Sequence, residues 1–482
     1  MLKSRCLLLI IIPFLCDTGV YAHQSFLIQH QQTFNQISSQ LQHLVDNNTL
    51  DGISIGVVNQ SSLIWSKSLG YANREANIEA SENTVYRVGS LSKLLTASAI
   101  LQLEEQGAID IDQAITAYLP RFYYKTRFAE SGVITSRQLL THLSGLPSNI
   151  NKGHWTEERF TNLVERLRTE YTSYPTDFIL NYSNVGYSLL GAIIEETTGY
   201  LFEDYMQKHL LTPLQMTQSN FQPYGSTTND AASGYKDLKV QTNLPVRDIP
   251  ALGLNTSLVD MSHFVSAILN QGSYNDKRIL DPDSIESMFE VQNRDIELDF
   301  DQLIGLPWFV NQIKDEKHPL IVEHGGTTIN YSSQLLLAPQ QQLGIIILSN
   351  TGQVNTIINN IAKQLLNMLI SNSEKTIISY IPEDFHIVNT GENRKNRYIA
   401  KSGMIEIDSD TGKLCDCQAN RTLNLVPLPD GWFGISPDNK QFTSKVSEKV
   451  IDGNTVIVLQ KNGKQHRIGS RYQYSENRFN WE

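Results

Sequence analysis

The sequence predicts a mixed chain of the α/β, more narrowly α+β, class, followed by a small all-β domain. Three observations carry this. Two strand-like stretches, 52–58 and 63–71, flank the turn Asn59-Gln60-Ser61-Ser62. Helical patterns then dominate until strand character returns at 332–338 and 343–348. Beyond Lys375 the texture changes to short alternating strands separated by turn pairs. Strands and helices in separate runs, rather than in regular alternation, mark the α+β class.

Taken in order, residues 1–22 read as an export signal. Lys3 and Arg5 form a charged start, and Leu7 to Leu15 an apolar core too short to span a bilayer. Val20-Tyr21-Ala22 is an acceptable small-residue cleavage site. Cys16 would permit a lipoprotein, but Leu15 before it is larger than the usual lipobox residue. The expected mature protein is exported, periplasmic or secreted, with no membrane span after signal removal. Phe34, Ile37, Leu41 and Leu44 have helical spacing within 26–44. A largely buried helix follows Ser90 and stops at Gln106-Gly107. Thr135 to His142, Trp155 to Arg168, Tyr187 to Glu196 and Ser257 to Gln271 read as further helices. Val354 to Leu369 is amphipathic and is expected to pack on the late strands.

A boundary is expected near Ser371 to Lys375, dividing the chain into 23–372 and an all-β barrel or sandwich over 376–482. Its hairpin signals are Asp410-Thr411-Gly412, Asp430-Gly431, Asp452-Gly453 and Asn462-Gly463. No chemistry-bearing pattern stands out there, and structural support is the expected role.

Composition narrows the function. The 482 residues exceed one ordinary domain, and 40% apolar with 18% charged residues is a globular balance. A net charge of −11 with no basic run argues against nucleic-acid partners. Of four cysteines, Cys6 and Cys16 fall in the signal; Cys415 and Cys417 are too close for an unstrained mutual bridge. The histidines lack metal-ligand spacing, so neither metal nor cofactor is implied.

The chemistry centres on Gly89-Ser90-Leu91-Ser92-Lys93. Leu91, Leu94, Leu95, Ile100 and Leu101 make the helix apolar nearly all round. Lys93 lies three residues after Ser90, one turn away on the same face. A lysine buried there is costly unless it is used, and the economical use is activating Ser90. The pattern is short and recurs at Ser233-Gly234-Tyr235-Lys236, in a polar stretch that reads as a loop. Two further motifs have local readings of their own. Asn181-Tyr182-Ser183-Asn184 is a polar turn before an apolar helix, suited to an Asx cap or to a phenol and amide at a site. Glu323-His324-Gly325-Gly326-Thr327 follows a strand-like segment, and its glycines admit close backbone approach.

Together, in this order, Ser-Leu-Ser-Lys, Tyr-Ser-Asn and His-Gly-Gly resemble the three motifs of the serine β-lactamase and penicillin-recognising family. The branch resembled is that of class C β-lactamases, D-alanyl-D-alanine carboxypeptidases, D-aminopeptidases and related esterases. The stretches Leu139 to Pro147, Tyr182 to Glu196, Thr212 to Met216 and Gly253 to Ser257 are also similar to the family, so the likeness spans about residues 30–370. It implies an antiparallel sheet flanked by helices, an all-helical subdomain and a site between them. Carried over, Ser90 is the nucleophile, Lys93 its partner, Tyr182 the base or relay, and Asn184 a contact for the substrate amide. His324, Gly325 and Gly326 form the strand edge along the substrate, and the N–H groups of Ser90 and Thr327 form the oxyanion hole. Two positions depart from the pattern: His324 stands where class C enzymes usually have lysine, and Asn330 where glycine is frequent. Histidine is a cation only below about pH 6.5, which predicts a pH-dependent hold on carboxylates and weak β-lactam turnover.

The implied activity is serine hydrolysis of amide, peptide or ester bonds through an acyl-enzyme, with a small molecule or short peptide as substrate. A true β-lactamase, or a penicillin-binding or scaffold protein without turnover, are the alternatives. Lysine and tyrosine both titrate near about pH 10 when free. The expected remedy is a shared proton, burial lowering the lysine and a nearby ammonium lowering the tyrosine.

Overall fold

The segments nearest the two ends of the 52–349 region meet at the middle of one sheet. The computed structural model describes residues 18–370, except 129–130, 151–152, 297–298, 300–301 and 313–318, and beyond them the strands between 395 and 471. Eight strands form the main sheet: β1 (Gly52–Asn59), β2 (Ser62–Asn73), β3 (Ile78–Glu79), β4 (Leu303–Ile304), β5 (Phe309–Gln312), β6 (Ile321–Thr327), β7 (Ser332–Ala338) and β8 (Leu343–Ser349). Their spatial order is β4-β5-β6-β7-β8-β1-β2-β3. All pairs are antiparallel, and β1 meets β8 in the register Ile53 with Ser349 through Asn59 with Leu343.

Alternation of side chains along each strand divides the apolar residues between two cores. In β8, Leu343, Ile345 and Ile347 face one core, and Ile346 and Leu348 the other. With both faces covered, a central antiparallel strand reads as a continuous apolar run. Eight α-helices enter the argument: α1 (Thr18–Gln29), α2 (Gln31–Asp46), α3 (Ser92–Glu105), α4 (Ser136–Leu140), α5 (Asn184–Thr198), α6 (Ile249–Leu252), α7 (Leu258–Leu269) and α8 (Asn355–Ile370). Amphipathic α2 and α8 cover one face through Phe34, Ile37, Leu41, Ile361 and Leu365. Helices α3, α5 and α7 pack into the larger core on the other face. Helix α3 is buried from Ser92 to Leu103, as its all-round apolar pattern predicts. Its hydroxyls are satisfied internally: Ser92 donates to Gly89 C=O at 2.6 Å and Thr96 to Pro250 C=O at 2.7 Å.

The architecture is the antiparallel sheet with flanking helices that the sequence predicts. Some elements differ in detail. The helix expected over 155–168 is a 3-10 turn (Phe160–Asn162), one α turn (Leu163–Arg166) and another 3-10 turn (Leu167–Thr169). Phe160, Leu163, Val164 and Leu167 are buried as helical spacing demands. Beyond them the backbone pairs elsewhere, Lys125 N–H donating to Glu170 C=O and Thr172 N–H to Lys125 C=O, both at 2.9 Å. The second Ser-x-x-Lys match falls in a hairpin, Gly234–Lys236 with Lys239–Gln241, rather than a loop. Helix α1 runs through the expected cleavage point at Ala22; the rest of the signal lies outside the described residues. No described helix is long and apolar enough to cross a membrane.

Between Lys395–Ala400 and Lys464–Arg471, eight antiparallel strands pair in chain order, and the first also pairs with the last. The expected turn pairs at 410–412, 430–431, 452–453 and 462–463 lie outside the described residues, as does Cys417.

Candidate active site

Ser90 sits in a 3-10 turn, Gly89–Leu91, that leads into α3. The turn needs glycine at 89, where φ is +56° and a Cβ would fall 2.9 Å from both N and O of Thr327. Gly326 is required for a similar reason: a Cβ there would fall 2.0 Å from Val88 C=O. The two glycines bring the backbone around Ser90 against the end of β6, making the amides of Ser90 and Thr327 neighbours.

Lys93 is fully buried one turn along. Its Nζ lies 3.3 Å from Ser90 Oγ, 2.8 Å from Asn184 Oδ1 and 3.0 Å from Ala251 C=O. All three acceptors are uncharged. Ala251 is presented by the short helix α6, which begins after the buried pair Arg247–Asp248 (2.7 Å). Nζ also stands 4.8 Å from the centre of the Tyr182 ring and 5.4 Å from that of Tyr187.

The 181–184 turn supplies the phenol. Ser183 caps α5, its Oγ accepting Gly186 N–H at 3.0 Å. Tyr182 shares a hydrogen bond with Ser90, so the three groups expected at the site do converge. Burial pushes the Tyr182 phenol well above the usual tyrosine range, and the Ser90 bond only partly offsets this. That corrects the expectation of a lowered pKa: Tyr182 rests here as a neutral phenol.

Both ends of the Asn184 amide are engaged within the protein. Its Oδ1 accepts from Lys93 and its Nδ2 donates to Asn149 Oδ1 at 3.1 Å. The same Asn149 oxygen lies 3.1 Å from His154 Nδ1. With its amide turned inward, Asn184 orients the lysine in this structure rather than facing open space.

The charge expected of His324 is corrected, though not its place along the cleft. Only 1% of its surface is exposed, and its Nδ1 donates to Gly325 C=O at 2.8 Å. Burial, with the nearby Lys93 charge adding to it, pulls the imidazole down to about 3. It is neutral throughout the physiological range, so the predicted pH-dependent cation is absent. Asn330 is buried and donates from Nδ2 to Asn243 Oδ1 at 3.0 Å.

A cleft of about 560 Å³ opens from Ser90, Tyr182, His324, Gly325 and Thr327 toward Glu323, Gln334 and the first turns of α8. Phe309 stacks on Tyr182 with centroids 6.4 Å apart and forms an apolar wall. The lining also includes Asn355, Thr356, Asn359 and Asn360. Glu323 accepts from Gln334 at 2.9 Å, Asn359 at 3.0 Å and Lys363 at 3.2 Å. The lining is thus polar with its two charges paired. Among the described residues, no three His, Cys, Asp or Glu side chains are grouped to hold a metal ion.

Sequence reasoning missed Asn355, Ala251 and Asn149. Asn355 opens α8, donates from Nδ2 to Gly326 C=O at 2.7 Å and accepts from Thr327 Oγ1 at 2.7 Å. It thereby fixes the end of β6. Asparagine at a helix start is itself a weak signal, but its partners are 28 and 29 residues away in sequence.

Comparison with known proteins bears on the fold and the family. Residues 37–366 match the Beta-lactamase family. Protein flp of Staphylococcus aureus (strain MW2) is 28% identical over 374 residues, covering 73% of this chain and 70% of its own length. Among solved structures, the octameric penicillin-binding protein homologue of Pyrococcus abyssi superposes with a TM-score of 0.59 at 20% identity, covering 90% of this chain and 99% of its own. SurE, solved with D-Leu, superposes with a TM-score of 0.67 at 20% identity and the same coverage. The fold likeness and the match over most of the chain give one conclusion: this protein belongs to the β-lactamase family, whose fold supports serine-hydrolase chemistry generally.

Proposed function

We propose that this protein is a serine hydrolase that forms an acyl-enzyme on Ser90 from amide, peptide or ester substrates, including D-amino-acid or cell-wall peptides. The single observation that carries the reading is the set of partners around Lys93 Nζ. Once deprotonated, as acylation requires, the Lys93 amine has two N–H groups and one lone pair. The shorter contacts, to Asn184 and Ala251, take the two N–H groups. Ser90 Oγ, at 3.3 Å, is then within reach of the lone pair.

In the forward step the Ser90 proton passes to Lys93 as Oγ bonds to the carbonyl carbon. The carbonyl electron pair moves onto oxygen, where the N–H groups of Ser90 and Thr327 receive it; one such donor is typically worth about 100- to 1,000-fold in rate. As the tetrahedral intermediate collapses, Tyr182 gives its proton to the departing amine or alcohol and recovers one from Lys93. Water then attacks the ester, its proton passes to Lys93 (directly, or relayed as Tyr182 takes it and hands its own on), and Lys93 returns a proton to Ser90 as Oγ leaves. A phenol that rests protonated suits the acid half of this cycle.

The neutral His324 and the paired charges of the cleft favour neutral esters and amides over carboxylate-bearing β-lactams. The fold neighbour solved with D-Leu makes a D-residue a sensible early probe. We further propose export under the signal of residues 1–22, and a separate supporting unit over 376–482.

Labelling by a fluorophosphonate tests the assignment. The full chain should label and Ser90→Ala should not; undiminished labelling of that variant would refute it. Turnover of nitrocefin, a short nitrophenyl ester, a D-Ala-D-Ala peptide and a D-amino-acid anilide then separates β-lactamase, esterase, carboxypeptidase and aminopeptidase activity. A labelling burst without turnover of any probe would instead favour a penicillin-binding role.

A further inference from the structure

We propose that His142 is a positioning residue for Tyr182, clamping the backbone on both sides of the phenol. The inference rests on the acyl-enzyme reading and assigns that site a residue beyond its three reacting groups.

His142 follows α4 and is fully buried. Its C=O accepts the N–H of Asn181 at 2.9 Å. Its Nδ1 accepts the N–H of Ser183 at 3.1 Å. The residues immediately before and after Tyr182 are therefore both held by one histidine. Its ring lies against the Tyr182 ring, centroids 4.2 Å apart at 36°, and 5.3 Å from the Tyr187 ring. A backbone N–H only donates, so Nδ1 carries no proton; the neutral ring has its proton on Nε2.

The backbone supports the same reading. His142 has φ of +63°, a left-handed conformation that non-glycine residues seldom adopt. In this conformation the carbonyl and the ring nitrogen reach the same turn. Strain of this kind persists where the surroundings over-determine it, and it concentrates at functional sites. Here the over-determination comes from the Asn181 and Ser183 bonds. Tyr182 then has little freedom: ring contacts from His142 and Phe309 at its faces and fixed main chain at both ends.

A histidine that only filled space would affect stability alone. A clamp acts through Tyr182, so its loss is expected to vanish when the phenol is already gone. The experiment measures fluorophosphonate labelling rates, with kcat and KM on a nitrophenyl ester, for the full chain and its variants. H142F keeps an aromatic ring and removes the acceptor; a misplacement near 1 Å costs on the order of 100-fold, so kcat should fall about 10- to 100-fold with KM nearly constant. H142N keeps an acceptor near the Nδ1 position and tolerates positive φ, so it should fall clearly less. H142F in a Y182F background should label no more slowly than Y182F itself. Equal losses in H142F and H142N, or a further loss in the double variant, would overturn the proposal. Should H142F lose its near-ultraviolet circular dichroism, H142N and H142N/Y182F complete the same cycle, and any residual effect of H142N without the phenol overturns it equally. Labelling of Ser90→Ala defeats the underlying function. Wild-type rates in H142F, with Ser90→Ala silent, defeat this inference alone.

Discussion

At the scale of single residues, His324 shows how burial outweighs identity. From the sequence it is a cation below about pH 6.5. Enclosed in the protein, with Nδ1 donating to Gly325 C=O, it titrates at about 3 instead. A neutral imidazole offers shape and no charge, so discrimination between carboxylate and neutral substrates should not follow its protonation. The expected outcome is one shared pH profile of kcat/KM for a carboxylate-bearing ester and its neutral analogue between about pH 5 and 8. A carboxylate-specific inflection near 6.5 would show His324 titrating as a free residue. Legibility at this scale depended on sequence distance. Ser90 and Lys93 are one turn apart, so local spacing exposed them. Tyr182 and Thr327 arrive from far along the chain and were reached through resemblance to a family. The inward turn of Asn184 could not be read, because its partner Asn149 is 35 residues away and lies in no motif.

At the scale of elements, α8 does more than cover the sheet. Its first residue, Asn355, ties Gly326 C=O and Thr327 Oγ1 to the helix, so the position of the Thr327 amide is set by how α8 docks. Asn355→Ala removes two side-chain hydrogen bonds worth about 1 kcal/mol each. Its effect on acylation should be of similar size, about 10-fold or more, if an oxyanion donor drifts out of line. Urea midpoints and labelling rates measured together check this; a variant that loses stability while labelling at the normal rate would dissociate α8 from the site. The amphipathic spacing of Val354 to Leu369 predicted the packing of this helix, because burial on one face is a periodic signal. The same signal overextended the helix at 155–168, where the backbone of Glu170 and Thr172 pairs with Lys125. Strands β4 and β5 were missed because Leu303–Ile304 and Phe309–Gln312 are too short for alternation to register.

At the scale of the whole molecule, joining β1 to β8 puts the strands nearest the two ends of the sheet-forming region side by side. Two histidines near the resulting site, His324 buried and His154 half-buried, then tie global stability to pH. His324 is lowered to about 3 and His154 to about 4, both mainly by burial, against an ordinary value of 6.5. Below 6.5 the unfolded chain binds protons that the folded chain refuses, so each histidine costs stability as pH falls. The loss begins near 6.5 and continues until the folded group itself titrates, near 4 for His154 and near 3 for His324. By about pH 5 the buried His324 contributes a loss on the order of 1–2 kcal/mol, and the partly exposed His154, screened by solvent, a smaller one. Buried and half-buried carboxyls oppose this as pH falls. Burial raises Asp51, Asp260 and Glu195, so protonating them relieves a cost that the folded state bears at neutrality. The difference between proteins isolates the histidine part. Urea unfolding free energies of the wild type should decline from about pH 7 to 5, and His324→Asn should decline less steeply, whatever its stability at pH 7. Parallel slopes for the two proteins would mean that His324 takes up its proton in the folded state as readily as in the unfolded one, and the neutral-imidazole account of the site would fail with it.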